Sequence, residues 1–275
     1  MPPEHRAGLF PALLKHWRGR RGLSQLDLAL TADVSSRHIS FLETGRSSPS
    51  ADMVLRLSST LDVPLRHVNA MLRAAGHAPA YPEPRPGEAL PEGVAEAVRL
   101  IKAHHEPFPV VIINRTYDLL DANQGAMALF AAMVDDPSTL ASGSPNIARL
   151  TFDPRGARKA LANFDEVAST LLWRMQREVL EDPDDGPLQA LLAELLDSDA
   201  VDPRWREVDL AVPSQPTLVV HVRRGDLDLR FLTTVTVFQA PQNVQVAELK
   251  MEAWYPEDAA TAEACRRLVE AAGGR

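Results

Sequence analysis

A proline-rich stretch between residues 77 and 91 divides the chain into two parts. It has the sequence HAPAYPEPRPGEALP and contains five prolines. Because proline lacks a backbone donor and disfavours helix for the residue before it, a regular helix or strand cannot run through this stretch. We therefore predict an extended, semi-rigid linker over residues 77–91, with one domain over residues 1–76 and another over residues 92–275.

Charge is distributed unevenly on the two sides of this linker. Residues 1–80 carry ten Lys and Arg against six Asp and Glu, a balance of +4, whereas the whole chain has a net charge of −8. The second part is therefore strongly acidic. A basic domain is attracted to a polyanion that an acidic domain repels. We expect any contact with nucleic acid to be made by the first part.

The composition is that of globular proteins. The apolar fraction is 45% of 275 residues, which is too high for a disordered chain and sufficient for two cores. No apolar run approaches the length of about 18 residues that crosses a bilayer. The first residues lack the order of a signal peptide, and the single cysteine, Cys265, excludes an intrachain disulfide. We expect a cytoplasmic protein.

The apolar spacing of residues 9–76 predicts five short helices. Helices two and three cover Gln25–Thr31 and Ser36–Glu43, with Ser24 and Ser35 as candidate N-caps. Two helices of this length joined by a short turn form a helix-turn-helix. The predicted core residues of helices two and four are Leu26, Ala29, Leu30, Met53, Leu55, Leu57 and Leu61.

The segment GLSQLDLALTADVSSRHISFLETGRSSPSADMVLRLSSTLDV resembles the XRE (Cro/C1-type) helix-turn-helix family. The shared marks are Ser-Gln at the start of helix two, the small residue Ala29, Val-Ser before helix three, and Leu-Glu-x-Gly-Arg at its end. The resemblance spans about residues 6–76. It implies that helix three enters the major groove of a double-stranded DNA operator.

The resemblance also implies which residues contact DNA. Arg37 is expected to bind a guanine edge through two hydrogen bonds, Phe41 to touch a thymine methyl group, and Gln25 to hold a phosphate. An ion pair between Arg18 and Glu43 is expected to join helices one and three. A charge of only +4 gives modest affinity for DNA, so we expect a homodimer on a near-palindromic site. The complete set of expected DNA contacts is Gln25, Ser35, Ser36, Arg37, Ser40, Phe41, Arg46 and Ser47.

The second part combines helical and strand patterns, which predicts an α+β domain. The helices are expected at Glu92–His105, after an Asn123 cap, at 157–181 and at Pro187–Leu196. The strands are expected at Pro109–Ile113, Tyr117–Asp121, Leu218–Val222, Leu227–Val237 and Val244–Trp254. Period-two alternation in the last three strands indicates an antiparallel sheet, which the helices would flank.

Three segments of this part resemble, in order, the MmyB-like ligand-binding domain of bacterial regulators. They read PFPVVIINRTYDLLDANQGAMALF, NIARLTFDPRGARKALANFDEVASTLLWRMQ and DLRFLTTVTVFQAPQNVQVAELKMEAWYPED. The resemblance implies a PAS-like fold with an apolar pocket that holds a small fatty-acyl ligand, with no other cofactor and no metal. The candidate lining residues are Phe164, Leu171, Met175, Leu229, Phe231, Leu249 and Met251.

The sequence gives little support to an enzyme. The adjacent His104 and His105 project in different directions from a helix, and the acidic run at 181–186 lacks the spacing of a calcium loop. Gly-rich phosphate loops and nucleophile elbows are not found. Three hypotheses remain: a ligand-responsive DNA-binding regulator, a DNA-binding scaffold whose second domain only dimerises or recruits a protein, and an enzyme tethered to DNA, for which we find no catalytic residues.

Overall fold

The structure is a computed structural model that describes residues 9–83, 89–141, 145–182, 185–199, 201–206, 217–239 and 241–274. The chain divides into two compact units. The first unit is made of Met1–Glu88 and Gln239–Ala247, and the second of Ala89–Phe238 and Glu248–Arg275. The inclusion of Gln239–Ala247 in the first unit was not indicated by the sequence.

The first unit contains the five helices expected from the sequence. They are α1 (Leu9–Arg20), α2 (Gln25–Thr31), α3 (Ser36–Glu43), α4 (Ala51–Thr60) and α5 (Leu65–Ala74). Side chains of Ser24, Ser35 and Ser50 accept hydrogen bonds from the first turns of α2, α3 and α4, as N-caps do. These caps, together with left-handed glycines at 22, 45 and 76, fix the helix ends.

The prediction for the buried face of α2 was partly wrong. Leu28 and Ala29 are buried, whereas Leu26 is 57% and Leu30 71% exposed. Residues 26 and 30 lie about half a turn away from residue 28 on a helix, so they face outward when Leu28 faces the core. On α4, Leu57 is buried as predicted and so is Val54, while Met53 and Leu55 are half-buried and pack against the same core.

The first half of the expected linker is held on α5. Asn69 is fully buried, and its side chain hydrogen-bonds the backbone of Ala80 and Tyr81. Residues 84–88 of the linker lie outside the described residues. One buried amide therefore holds residues 80 and 81 on α5, whereas the sequence predicted a spacer from residue 77 onward.

The second unit contains a five-stranded sheet and further helices. Its helices are α6 (Glu92–His105), α7 (Gln124–Met133), α8 (Ser138–Ala141), α9 (Ile147–Phe152), α10 (Phe164–Glu181), α11 (Gly186–Leu196) and α13 (Ala259–Gly273). Its strands are β1 (Val110–Ile113), β2 (Leu119–Ala122), β3 (Leu218–Arg224), β4 (Leu227–Thr236) and β5 (Lys250–Pro256). Among the described residues, no helix is long and apolar enough to span a membrane.

The strands lie in the order β2-β1-β5-β4-β3, and every neighbouring pair is antiparallel. One face of the sheet contributes Val111, Phe231 and Trp254 to a large core shared with several helices. The opposite face contributes Val110, Ile112 and Met251 to a smaller core that includes Val98 of α6. The all-α first domain and the α+β second domain expected from the sequence are thus confirmed.

Three element boundaries differ from the sequence prediction. The residues Val244–Ala247, expected to open the last strand, form a short helix, α12, within the first unit, and β5 starts at Lys250. The helix expected from residue 157 begins only at Phe164. The residues before it are held on β3, because Leu161 pairs with this strand and the Asn163 side chain forms hydrogen bonds with the strand's backbone. Strand β2 starts late because Tyr117 lies in the left-handed region of a turn, with φ of 63°.

Candidate DNA-binding surface and ligand cavity

Helix α3 presents a polar outer face. Ile39 and Leu42 anchor it in the core, which leaves Ser36 and Arg37 exposed near its N-terminus. Ser35 caps the helix by accepting a hydrogen bond from the His38 amide at 3.1 Å. Of the other expected DNA contacts, Arg46 is exposed, and Ser40, Phe41 and Ser47 are half-buried. A helix held this way offers side chains near its N-terminus to a groove.

Phe41 lies between two arginines. The guanidinium of Arg37 is 5.1 Å from the centre of the Phe41 ring, and that of Arg46 is 6.0 Å away. Both distances are within the range of a cation–π interaction. The ring therefore supports the two side chains expected to bind DNA. The expected contact of Phe41 with a thymine methyl group stays a prediction, and a role of its ring in positioning the two arginines is a second prediction.

A compact hydrogen-bonded group joins helices α1, α2 and α3. Arg18 donates to both carboxylate oxygens of Glu43, at 2.6 and 3.0 Å, and Gln25 donates to Glu43 at 2.7 Å. The expected ion pair is confirmed, and its carboxylate is only 4% exposed. Burial opposes ionisation of Glu43, but the hydrogen bonds from Arg18 and Gln25 outweigh it and lower its pKa. This bond uses one of the two amide hydrogens of Gln25, and the expected phosphate contact of the other stays a prediction.

The second unit contains a cavity of about 60 Å³ against one face of the sheet. Strands β3 and β5 form one side, and α7, α9 and α10 form the others. The lining residues are Tyr117, Phe130, Met133, Ile147, Leu150, Thr151, Ala157, Leu161, Val167, Leu171, Arg174, Leu218, Val220, Glu252 and Trp254. Most are apolar, as is usual for sites that bind small organic molecules.

Of the seven lining residues proposed from the sequence, Leu171 lines this cavity. Met175, Leu229 and Phe231 are buried in the same core, and Phe164 packs against it. Leu249 and Met251 belong to the core on the opposite face of the sheet. Neighbouring residues of a strand point to opposite faces, so Glu252 and Trp254 face the cavity while Met251 faces away.

Two charged residues that sequence reasoning missed line the cavity. Arg174 is half-buried on α10 and makes no hydrogen bond or ion pair with the residues that the structure describes. Glu252 accepts a hydrogen bond from Trp254 Nε1 at 2.9 Å. Burial raises the pKa of Glu252, although the charge of Arg174 and the Trp254 bond act against this. These side chains are isolated in sequence, and only the alternation of β5 could have indicated Glu252.

A second polar group lies at the Tyr117 edge of the cavity. The Tyr117 hydroxyl donates to Glu178 at 3.3 Å, and Lys250 pairs with the same carboxylate at 2.5 Å. The Lys250 ammonium also lies 4.7 Å from the Tyr117 ring centre. Burial raises the pKa of Tyr117 well above its usual value, so its hydroxyl stays protonated. The cavity is therefore apolar with polar groups at defined positions.

Comparisons with known families support both parts of the chain. A helix-turn-helix family model matches residues 14–68. A model described as the MmyB-like transcription regulator ligand binding domain matches residues 94–268, which is more than half of the chain. A comparison with the curated proteins gave no match. Both resemblances stated from the sequence are thus confirmed.

Proposed function

Because the chain belongs to the MmyB-like ligand-binding transcription regulators, we propose that it binds an operator and responds to a fatty-acyl ligand in its cavity. The two matched domains make the chain a DNA-binding transcription regulator with a ligand-binding domain. The identity of the ligand and its effect on the operator are the proposal. A PAS-like sensory role, a cytoplasmic location and the absence of catalysis belong to the same proposal.

The observation that carries the ligand proposal is Arg174, which lies beside apolar walls and has no ion pair within the described part of the chain. A carboxylate at the end of an acyl chain would accept two hydrogen bonds from the guanidinium, and the chain would lie against Leu171 and Trp254. Burial raises the pKa of Glu252, and in its protonated form this side chain would donate a hydrogen bond to the bound carboxylate. An uncharged apolar ligand would offer Arg174 neither a negative charge nor hydrogen-bond acceptors.

The size of the cavity limits how such a ligand binds. A volume of about 60 Å³ holds a few water molecules, whereas sites for organic ligands usually measure about 300–1,000 Å³. An acyl chain therefore has to separate the walls. Half-buried lining residues such as Ile147 and Leu218 are the ones able to move outward. The small volume also favours the second candidate function, a scaffold regulator whose second domain only dimerises or recruits a protein.

For DNA binding, we propose that α3 lies in the major groove with Arg37 on a guanine edge. Arg46, Ser47 and Gln25 would contact the backbone, which positions the helix without reading sequence. Two copies of the chain would place two such helices on neighbouring half-sites. A homodimer is thus part of this proposal.

The test of the ligand proposal is native mass spectrometry of the purified chain, followed by denaturing extraction. A dimer carrying an extractable fatty acid is expected. Arg174→Met, which keeps length and removes charge, should lose the acid, while Arg177→Met, a control on the same helix, should retain it. Dimers that are empty, and that do not bind added dodecanoate, would favour the scaffold function instead.

A further inference from the structure

Residues 239–247 join β4 to β5, yet they fold as part of the first unit. Their short helix, α12, packs beside α5. Val244 is fully buried and Val246 is 6% exposed. Connections between antiparallel strands normally run over the surface and bury little. The segment belongs to the same unit as the DNA-binding helices, lies beside α5, and buries two valines.

The docking site for this segment is itself built on α5. The Val244 amide donates to the Pro82 carbonyl at 3.0 Å. Asn69 of α5 fixes the residues on either side of Pro82 by donating to the Tyr81 carbonyl at 2.7 Å and to the Glu83 carboxylate at 2.9 Å. Arg73 of α5 binds the same carboxylate at 2.9 Å. Helix α12 is thus hydrogen-bonded to a short segment that two residues of α5, Asn69 and Arg73, hold in place.

Helix α5 is connected to the recognition helix through α1. Trp17 of α1 is fully buried, and its ring lies 5.3 Å from that of His67 on α5. The next residue, Arg18, forms the ion pair with Glu43 at the end of α3. Packed helices with such fixed contacts transmit a displacement instead of absorbing it.

At its other end, the segment continues directly into the wall of the cavity. Phe238 and Leu249 flank the segment, and both pack in the smaller core, on the sheet face opposite the cavity. Strand β5 then begins at Lys250, and its residues Glu252 and Trp254 line the cavity. Only Glu248 and Leu249 separate the end of α12 from the start of β5.

We propose that residues 239–247 form a tether that transmits occupancy of the ligand cavity to the DNA-binding helices. This proposal rests on the proposed ligand-binding function. Ligand that separates the cavity walls displaces β5, which pulls on α12 and loosens its docking on α5. The equilibrium between docked and loosened states is the property that ligand changes, as any ligand-driven response requires.

The experiment is hydrogen–deuterium exchange of the full chain with and without dodecanoate. Wild type is compared with Val246→Asp, which puts a charge in the buried docking site, and with Ala247→Asp, which puts the same charge at an exposed position of α12. Dodecanoate should slow exchange in β5 of all three proteins. It should speed exchange in α5 about fivefold or more, the lower end of typical coupling, in wild type and Ala247→Asp only.

Two results would overturn the tether while leaving ligand binding intact. One is slowed exchange in β5 with unchanged exchange in α5 of wild type. The other is an equal α5 response in Val246→Asp and wild type. If Val246→Asp does not fold, Val246→Ala takes its place, and the tether predicts at least a halved α5 response.

Unchanged exchange in β5 would instead contradict the fatty-acyl proposal. The tether is then tested by Val220→Phe, which fills the cavity from β3 without added ligand. Exchange in α5 should be faster in Val220→Phe than in wild type, and this difference should disappear when Val246→Asp is added. An α5 unaffected by the filled cavity would refute the tether.

Discussion

Replacing Phe41 by leucine tests the role of the aromatic ring on the recognition helix. Leucine keeps the apolar bulk but removes the π face that Arg37 and Arg46 approach at 5.1 and 6.0 Å. An exposed cation–π interaction contributes about 0.5–1 kcal/mol, and the longer one lies at the limit of the range. The total is about 1–1.5 kcal/mol, so we expect DNA affinity to fall about tenfold.

The assay is fluorescence anisotropy with a duplex selected from random sequences by the wild-type protein, at one fixed salt concentration. Phe41→Tyr should bind like wild type because it keeps the π face. Leu30→Ala, on the exposed side of α2, is the control for a general effect of substitution. A thymine-methyl contact would survive in Phe41→Leu, so wild-type affinity in that variant would refute the positioning role.

Three further predictions concern DNA reading and stability. Arg37→Ala should lose about 1–3 kcal/mol of binding free energy on the selected duplex alone, and an equal loss on random duplex would make it a phosphate contact. The lowered pKa of Glu43 stabilises the first unit at pH values above the unfolded pKa near 4.5, and this stabilisation is lost as the pH falls through the folded pKa. The free energy of unfolding, measured at decreasing pH, should therefore fall more steeply in wild type than in Glu43→Gln. Gly125→Ala should destabilise the second unit by about 1–3 kcal/mol in thermal unfolding, because its methyl group would overlap the Pro107 carbonyl, whereas Gly93→Ala, which meets no atom, should not.

Local signals in the sequence were sufficient to predict the helices of the first unit. Serine caps at 24 and 35 and glycines after the helices determine where each one begins and ends, and they act within a few residues. The residues expected to contact DNA come from a pattern around α2 and α3, and their contacts with DNA stay a prediction. The contacts of Phe41 with Arg37 and Arg46 could not be predicted, because they depend on where the two guanidinium groups lie.

Features that depend on distant contacts could not be predicted from the sequence. The alternation Val-Gln-Val-Ala at 244–247 fits a strand, but these residues form a short helix beside α5, which lies far away in sequence. The cavity residues were assigned to both faces of the sheet because the register of β5 was not known. Arg174 and Glu252 come together only when α10 packs on that sheet.

The most direct test of the central claim is the operator affinity of the full chain with and without dodecanoate. Anisotropy titrations on the selected duplex would be made at one salt concentration, with ligand occupancy followed by native mass spectrometry. We predict that bound dodecanoate changes the affinity about fivefold or more. Equal affinities for a fully occupied and an empty protein would contradict a ligand-responsive regulator.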